Sequence, residues 1–548
     1  MNPKSDLSQI KTIADGEKNV ATLFETIENQ HEEITHLKQV VQELKDEINR
    51  LKGEQGRPEI KASKKNYSSE KERKKRAPKP KSKRIQQKKT PVDEQQTVSV
   101  NKSELPEDAQ FKGYVCTTIQ DIRVKRHNIE FRRERYYSPS QNQSYTANLP
   151  QGHQGKFGPQ LKALILSLYH HSGLSEPKIR EFLTQFEISI SMGTISNIVS
   201  QVSEMWETEV SEIFQAGVAS TRYHHLDDTP TRVNGVNYHC HVLCNPLYSY
   251  FATLESRKRL GVLQLLQNQE ALYYKYTSEM VRWLEQVNVP TWARDVVAGW
   301  VEDDIMTENQ VASRIEAQLA HRLNQAQIRR IYEAGALGFY RQQTVYPTVP
   351  ILVTDDASQF RYITQHQLCW IHEARHYKKL NPALPYHQAL LDQFLTDLWD
   401  YYHQLQDYSL NPSPDLVDPL RLKFQTLFSR KTSYPSLDKR IRSTLANQDR
   451  LLLVLDHPET PLHNNPAELA ARRRVRKRDV SFGPRTDHGR RAWDIFMTLS
   501  ETAKKLGVSF YHYILDRLSM SYHHNSLAQH IRDNTHLPSL AGASTASF

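Results

Sequence analysis

Cysteine is scarce in this 548-residue sequence: Cys116, Cys240, Cys244 and Cys369 lie far apart, which excludes a disulfide framework and leaves reduced thiols as the expectation. Long apolar runs are missing as well. The most hydrophobic stretches, such as LKALILSLY from Leu161, fall well short of the roughly 20 residues that span a bilayer. The start, MNPKSDLSQ, has neither the basic opening nor the apolar core of a secretory signal, so no membrane association and a cytoplasmic location are expected. Apolar residues at 38% suffice to fill at least one core across two or three domains.

Most of the chain also lacks excess charge. The net +10 is concentrated between Arg57 and Thr90, where 15 Lys or Arg stand against three acids, a local +12 that leaves −2 for the remainder. This segment has few aliphatic residues and is expected to be a disordered basic linker (53–99). Its charge suits sequence-independent contact with DNA phosphates, or a merely solubilising tether.

A disordered start (1–19) is expected to precede a helix whose apolar residues repeat every three or four positions: Val20, Leu23, Ile27, Ile34, Leu37, Val41, Leu44, Ile48 and Leu51. Val or Ile at one heptad position and Leu at the other favour a parallel two-stranded coiled coil over residues 20–52, with Gln30 as a register-fixing polar residue, and so a homodimer or higher oligomer. Alternating stretches such as YVCTTIQDIRV predict a small β-rich module over 100–156. Residues 157–205 read as three helices, either a helix-turn-helix or an ordinary helical bundle. In the first reading the helix from Ser191 presents Thr194 and Asn197 to a DNA groove while Ile195, Ile198 and Val199 face inward.

Beyond Ser220 the texture becomes short strands, TRYHHLDDTPTRV, NYHCHVLCNP and YSYFATLE, and a further strand, TVPILVTDD, ends in two carboxylates. Strands therefore deliver Asp227 and Asp355 at their ends. HQLCWIHEARHYKKL runs from strand to helix, and in PLHNNPAELAARRRVRKR Asn465 is positioned to cap a helix whose first turn carries Glu468. Each acid alone has a bland reading, as a turn residue, a strand-end residue or part of a capping box. In YHCHVLC, strand alternation puts Cys240 and Cys244 on the face opposite His239 and His241, which favours core packing over zinc.

The blocks LDDTP, VTDD, CWIHEAR, HNNPAE and VRKRDVSFGPRTDHGRRAWDIF, in that order, resemble the transposases of the insertion-sequence 66 family, part of the Asp-Asp-Glu superfamily. The resemblance spans about residues 100–520. It implies a multidomain α+β protein with an N-terminal coiled coil, a helix-turn-helix, an RNase H-like catalytic domain over 215–500 with helical insertions near 264–347 and 381–460, and a helical tail (501–548). It also implies a catalytic, metal-binding triad of Asp227, Asp355 and Glu468. Asp228 and Asp356 replace the family's usual Glu and Gly, so the choice within each Asp pair stays open. His463 stands where Asp is usual, and the cysteine-rich zinc module of many members is absent.

Three carboxylates suit two Mg²⁺ ions, with Mn²⁺ as a substitute, held roughly 3.5–4 Å apart for in-line phosphodiester displacement. The expected function is cleavage of element ends and their joining to target DNA. Arg473, Arg476, Lys477 and Arg478 follow Glu468 on its helix and are expected beside the DNA backbone. His372 and Arg375 are read as DNA contacts near the metals, or as structural groups. The alternatives are a non-catalytic DNA-binding regulator, against which the three intact acids argue, and a metal-dependent nuclease without strand transfer.

Overall fold

The computed structural model describes residues 13–51 and 91–535, apart from 102–104, 107, 202–203, 302–303 and 320–321. Residues 1–12 of the expected disordered start, 53–90 of the basic linker and 536–548 of the tail lie outside the described residues. The described chain divides into two units, one of residues 91–130 with 183–189 and one of residues 13–51, 131–182 and 190–535.

In the first unit the expected β-rich module does not form: no strand occurs among its described residues. Val115 and Ile119 are 97% and 83% exposed, so the alternating stretch has neither a partner ladder nor a face to bury, and alternation alone does not stabilise a strand. What remains of the module is a hairpin in the second unit, β1 (Arg135–Ser138) paired with β2 (Gln143–Thr146).

The second unit begins with α1 (Ile13–Leu51), already helical before the expected residue 20. Next come α2 (Pro159–Leu166), α3 (Glu176–Thr184), α4 (Met192–Ser200) and α5 (Glu204–Ala219). Ser191 caps α4 by accepting from Thr194 N, while Ile195, Ile198 and Val199 are buried as their spacing predicts. Then β3 (Tyr223–Val233), β4 (Val236–Cys244) and β5 (Ser249–Leu254) run antiparallel through two tight connections.

The first insertion contains α6 (Arg259–Gln267), β6 (Tyr273–Tyr274), α7 (Ser278–Gln286), α8 (Thr291–Ala298), β7 (Met306–Thr307), α9 (Glu308–Gln318) and α10 (Gln325–Gln342). It is helical as expected but not peripheral. The Ala334–Gly338 stretch of α10 is fully buried, and a Cβ at Gly338 would come within 2.1 Å of the Lys275 carbonyl oxygen. Glycine there allows a backbone approach that any other residue forbids.

The chain re-enters the sheet with β8 (Ile351–Thr354) and β9 (Gln365–Leu368), followed by α11 (Trp370–Lys378). The second insertion, α12 (Pro385–Leu410), α13 (Val417–Phe428), α14 (Pro435–Leu445) and α15 (Gln448–Leu451), shares an apolar core with α11 around Trp370, Tyr401, Phe424 and Phe428. Last come α16 (Asn465–Ser481), α17 (Asp487–Leu506), α18 (Phe510–Leu518) and α19 (Leu527–Asp533).

The five-stranded sheet has the order β5-β4-β3-β8-β9, with β3, β8 and β9 parallel. One face, carrying Cys240, Val242 and Phe251, packs on Ala470 and Ala471 of α16 and Met497 of α17. The edge strand β5 is closed by side chains of α17 four residues apart. Thr502 Oγ1 accepts from Ser249 N (3.2 Å), Thr498 Oγ1 from Phe251 N (3.0 Å) and Asp494 Oδ2 from Thr253 N (2.8 Å). The helical repeat of 3.6 residues thus meets the two-residue repeat of the strand, and these edge amides are satisfied without another strand.

The heptad face of α1 is uncovered: Val20, Leu23, Ile27, Ile34, Leu37, Val41 and Leu44 are each 43–57% exposed. A neighbouring stripe docks on the second insertion. Glu28, buried, accepts from Ala383 N (2.9 Å) and Leu384 N (3.3 Å) at the start of α12 and pairs with His387 (2.7 Å).

Candidate active site

The middle of one strand, the end of another and one helix start build the site: Asp355 directly follows β8, but Asp227, expected at a strand end, lies within β3, because the pairing of β3 with β4 continues past it to Val233. The parallel register pairs Tyr223 with Ile351 and His225 with Val353; continued by two residues, it sets Asp227 level with Asp355. Asp227 lies opposite Val242 in the ladder, so strand alternation puts it on the face that α16 covers. Glu468 is on the first turn of α16, and the carboxylates of Asp355 and Glu468 both act electrostatically on Asp227. The structure therefore brings Asp227, Asp355 and Glu468 together.

The neighbouring acids go elsewhere. Asp228 lies on the other side of β3, near Gln359 Nε2 (3.4 Å) and His239 Nδ1 (3.6 Å). Asp356 is tied to Arg361 (2.8 Å) and Arg450 (2.9 Å). Its burial would raise the carboxyl's pKa, but the hydrogen bond from Arg361 and the charge of Arg450 outweigh that and hold it below the usual range.

Burial, with the charges of Asp355, Asp228 and Glu468 added, pushes the Asp227 carboxyl up to about 7, even though its Oδ1 accepts the Asp228 amide at 2.9 Å. Half-buried carboxylates that repel one another and offer only oxygen donors form a set that a hard divalent cation neutralises. The donor chemistry of these residues fits such an ion.

Sequence reasoning missed Asn464, which ties the start of α16 to β3 and to Cys369 after β9. It, rather than Asn465, is the N-cap residue of α16. Its Nδ2 donates to the Leu226 carbonyl (2.9 Å), its Oδ1 meets His225 Nδ1 (3.1 Å) and its N–H points at Cys369 Sγ (3.2 Å). The side chain is therefore spent on β3, and the doublet of asparagines before proline was the available signal. Around Glu468 stand Arg375, with Nη2 at 3.2 Å, and His372, with Nδ1 at 3.6 Å.

The basic run of α16 divides by burial. Lys477, expected beside DNA, is instead buried: its Nζ donates to the Tyr169 carbonyl (2.7 Å) and lies 3.4 Å from the Tyr169 ring centroid. No surface is left there for a phosphate. Arg473 pairs with Glu501 and donates to the His171 carbonyl (2.8 Å), and Arg478 donates to the Pro230 carbonyl (2.5 Å); both are half-buried. Arg476 is exposed. On α4, Asn197 is exposed and Thr194 half-buried, its hydroxyl 2.9 Å from that of Ser191. Cys240 is buried on the α16 face and His241 bonds Ser256 O on the other, consistent with core packing.

Carboxylates gathered beside a helix start, just beyond the parallel pairing of β3 with β8, define a site of the kind that binds divalent cations. The model of the transposase IS66 family matches residues 154–277 and 340–492, and the chain belongs to that family. The unmatched interval, 278–339, falls within the first insertion. The chain is also 30% identical over 308 residues to the uncharacterized protein y4jO of Sinorhizobium fredii, covering 56% of this chain and 95% of that protein. Membership points to an enzyme acting on DNA with divalent-metal dependence, and no helix of the described residues is long and apolar enough to cross a membrane.

Proposed function

We propose that this protein is an Asp-Asp-Glu transposase that cleaves the ends of an insertion sequence and joins them to target DNA. The observation that carries the reading is the convergence of Asp227, Asp355 and Glu468 on one sheet face. The strand order, three antiparallel strands followed by two parallel ones, supports an RNase H-like catalytic domain. The three carboxylates would hold two Mg²⁺ or Mn²⁺ ions, which supply an activated hydroxyl and neutralise the leaving oxygen. Asn464 fixes the start of α16 against β3, and Arg375 shares the charge of Glu468. The early turns of α4, through Thr194 and Asn197, read the element end, while Arg476 meets phosphates. The uncovered seam of α1 pairs with a second copy as a coiled coil.

Glu468→Gln preserves size but removes a ligand charge. With an oligonucleotide carrying the element end and Mg²⁺, it should abolish cleavage and joining while DNA binding survives. Retained cleavage would place the site elsewhere, and cleavage without joined product in the native protein would favour a nuclease.

A further inference from the structure

We propose that Cys369, His372 and Glu468 form a second metal site, selective for a thiophilic ion such as Zn²⁺, whose occupation withdraws Glu468 from the hard-cation site. The inhibitory consequence rests on the proposed role of Glu468; the binding itself does not.

The donors come from one strand-to-helix junction and one helix start. Cys369 follows β9 as the N-cap residue of α11, and three residues later His372 stands on the first turn. Glu468 reaches them from α16, and one ligand atom from each of the three lies within 4.8 Å of the others. Tetrahedral zinc with bonds of about 2.0–2.3 Å holds its ligands roughly 3.3–3.8 Å apart, so the cluster closes with a contraction of about an ångström. His372 Nδ1, on the side of Glu468, is buried without a hydrogen-bond partner.

Donor chemistry separates this site from its neighbour. A thiolate, an imidazole and a carboxylate suit Zn²⁺ or Co²⁺, whereas Mg²⁺ selects oxygen and rejects sulfur. Binding requires the Cys369 thiol to release its proton to solvent. It also requires Arg375 to move, because its guanidinium approaches both His372 Nε2 (3.2 Å) and Glu468 (3.2 Å) and would repel an incoming cation. That side chain is 29% exposed and has solvent to swing into.

The test is titration of metal-free full-length protein with Co²⁺, read by the near-ultraviolet thiolate-to-cobalt charge-transfer band. One equivalent per chain should produce the band, Zn²⁺ should remove it, and excess Mg²⁺ should not. Cys369→Ser and His372→Gln should each lose it, the second variant guarding against misfolding of the first. Asp227→Asn should keep it, and Arg375→Ala should reach half-saturation at about tenfold lower Co²⁺. In the Mg²⁺-dependent cleavage assay, each variant compared with its own zinc-free rate, Cys369→Ser should need about tenfold more Zn²⁺ for half-inhibition. No band in the native protein, or an equal band in both ligand variants, overturns the site. A band without zinc inhibition of an active enzyme overturns the withdrawal of Glu468, whereas a band in a protein with no Mg²⁺-dependent cleavage removes the transposase reading and leaves the site standing.

Discussion

At the residue scale, Asp227 makes the metal-free protein sensitive to pH. Its folded pKa of about 7 lies above the ordinary carboxyl value, so between about pH 4 and 7 the folded state binds more protons than the unfolded state and stability falls as pH rises. In EDTA at pH 8, Asp227→Asn should therefore melt above the native protein. The gap should close toward pH 4, and saturating Mg²⁺ should shrink it by stabilising only the native form; a pH-independent gap would refute the assignment. Lys477 and Arg476, one residue apart, should behave oppositely. Lys477→Ala removes a buried cation from between Tyr169 and Trp493 and should cost about 2–4 kcal/mol of stability, read by denaturant unfolding. Arg476→Ala should leave unfolding unchanged and reduce the salt dependence of DNA binding.

At the scale of elements, α1 presents two stripes with separate jobs. Glu28→Ala leaves the first amides of α12 without their acceptor and should cost about 1–2 kcal/mol, a helix-cap effect. Limited proteolysis should then release the N-terminal helix faster, with oligomeric mass unchanged. Leu37→Asp in the exposed seam should do the reverse, lowering the mass measured by light scattering while docking of α1 persists. The two insertions also differ in kind. The second shares an apolar core with β9 and α11 around Trp370, whereas the first is tied into the body by the buried pair of Arg259 and Glu333. Glu333→Ala strands a buried guanidinium, with an expected loss of about 3–5 kcal/mol in chemical denaturation.

At the scale of the whole molecule, much was legible in local pattern. The strand ending before Asp355, the helix beginning before Glu468, the cap at Ser191 and the heptad spacing of α1 all follow from periodicity and capping chemistry, which act over a few residues, whereas β3 runs through Asp227 to Val233 because β4 pairs with it there. The family blocks drew attention to three acids that lie near one another for the same reason, each motif being short and contiguous. The failures have long-range causes. The stretch around Val115 alternates like a strand but finds no ladder, and α10 is buried because Lys275 and Tyr276 approach glycines more than fifty residues away. Asn464, whose side chain bonds β3 across more than 200 residues, looked no more important than Asn465.

The sequence by itself determined which residues could supply charge, caps and seams, since propensity and periodicity are properties of neighbouring side chains. Only the tertiary structure decided which member of each aspartate pair faces Glu468, because that depends on the parallel register of β3 with β8 and on the partners that hold Asp228 and Asp356. It also decided that Lys477 is enclosed while Arg476 is free. Burial of a charge is set by what packs over it, here Tyr169 and Trp493, 324 positions apart in sequence, and no local pattern in the basic run of α16 encodes that.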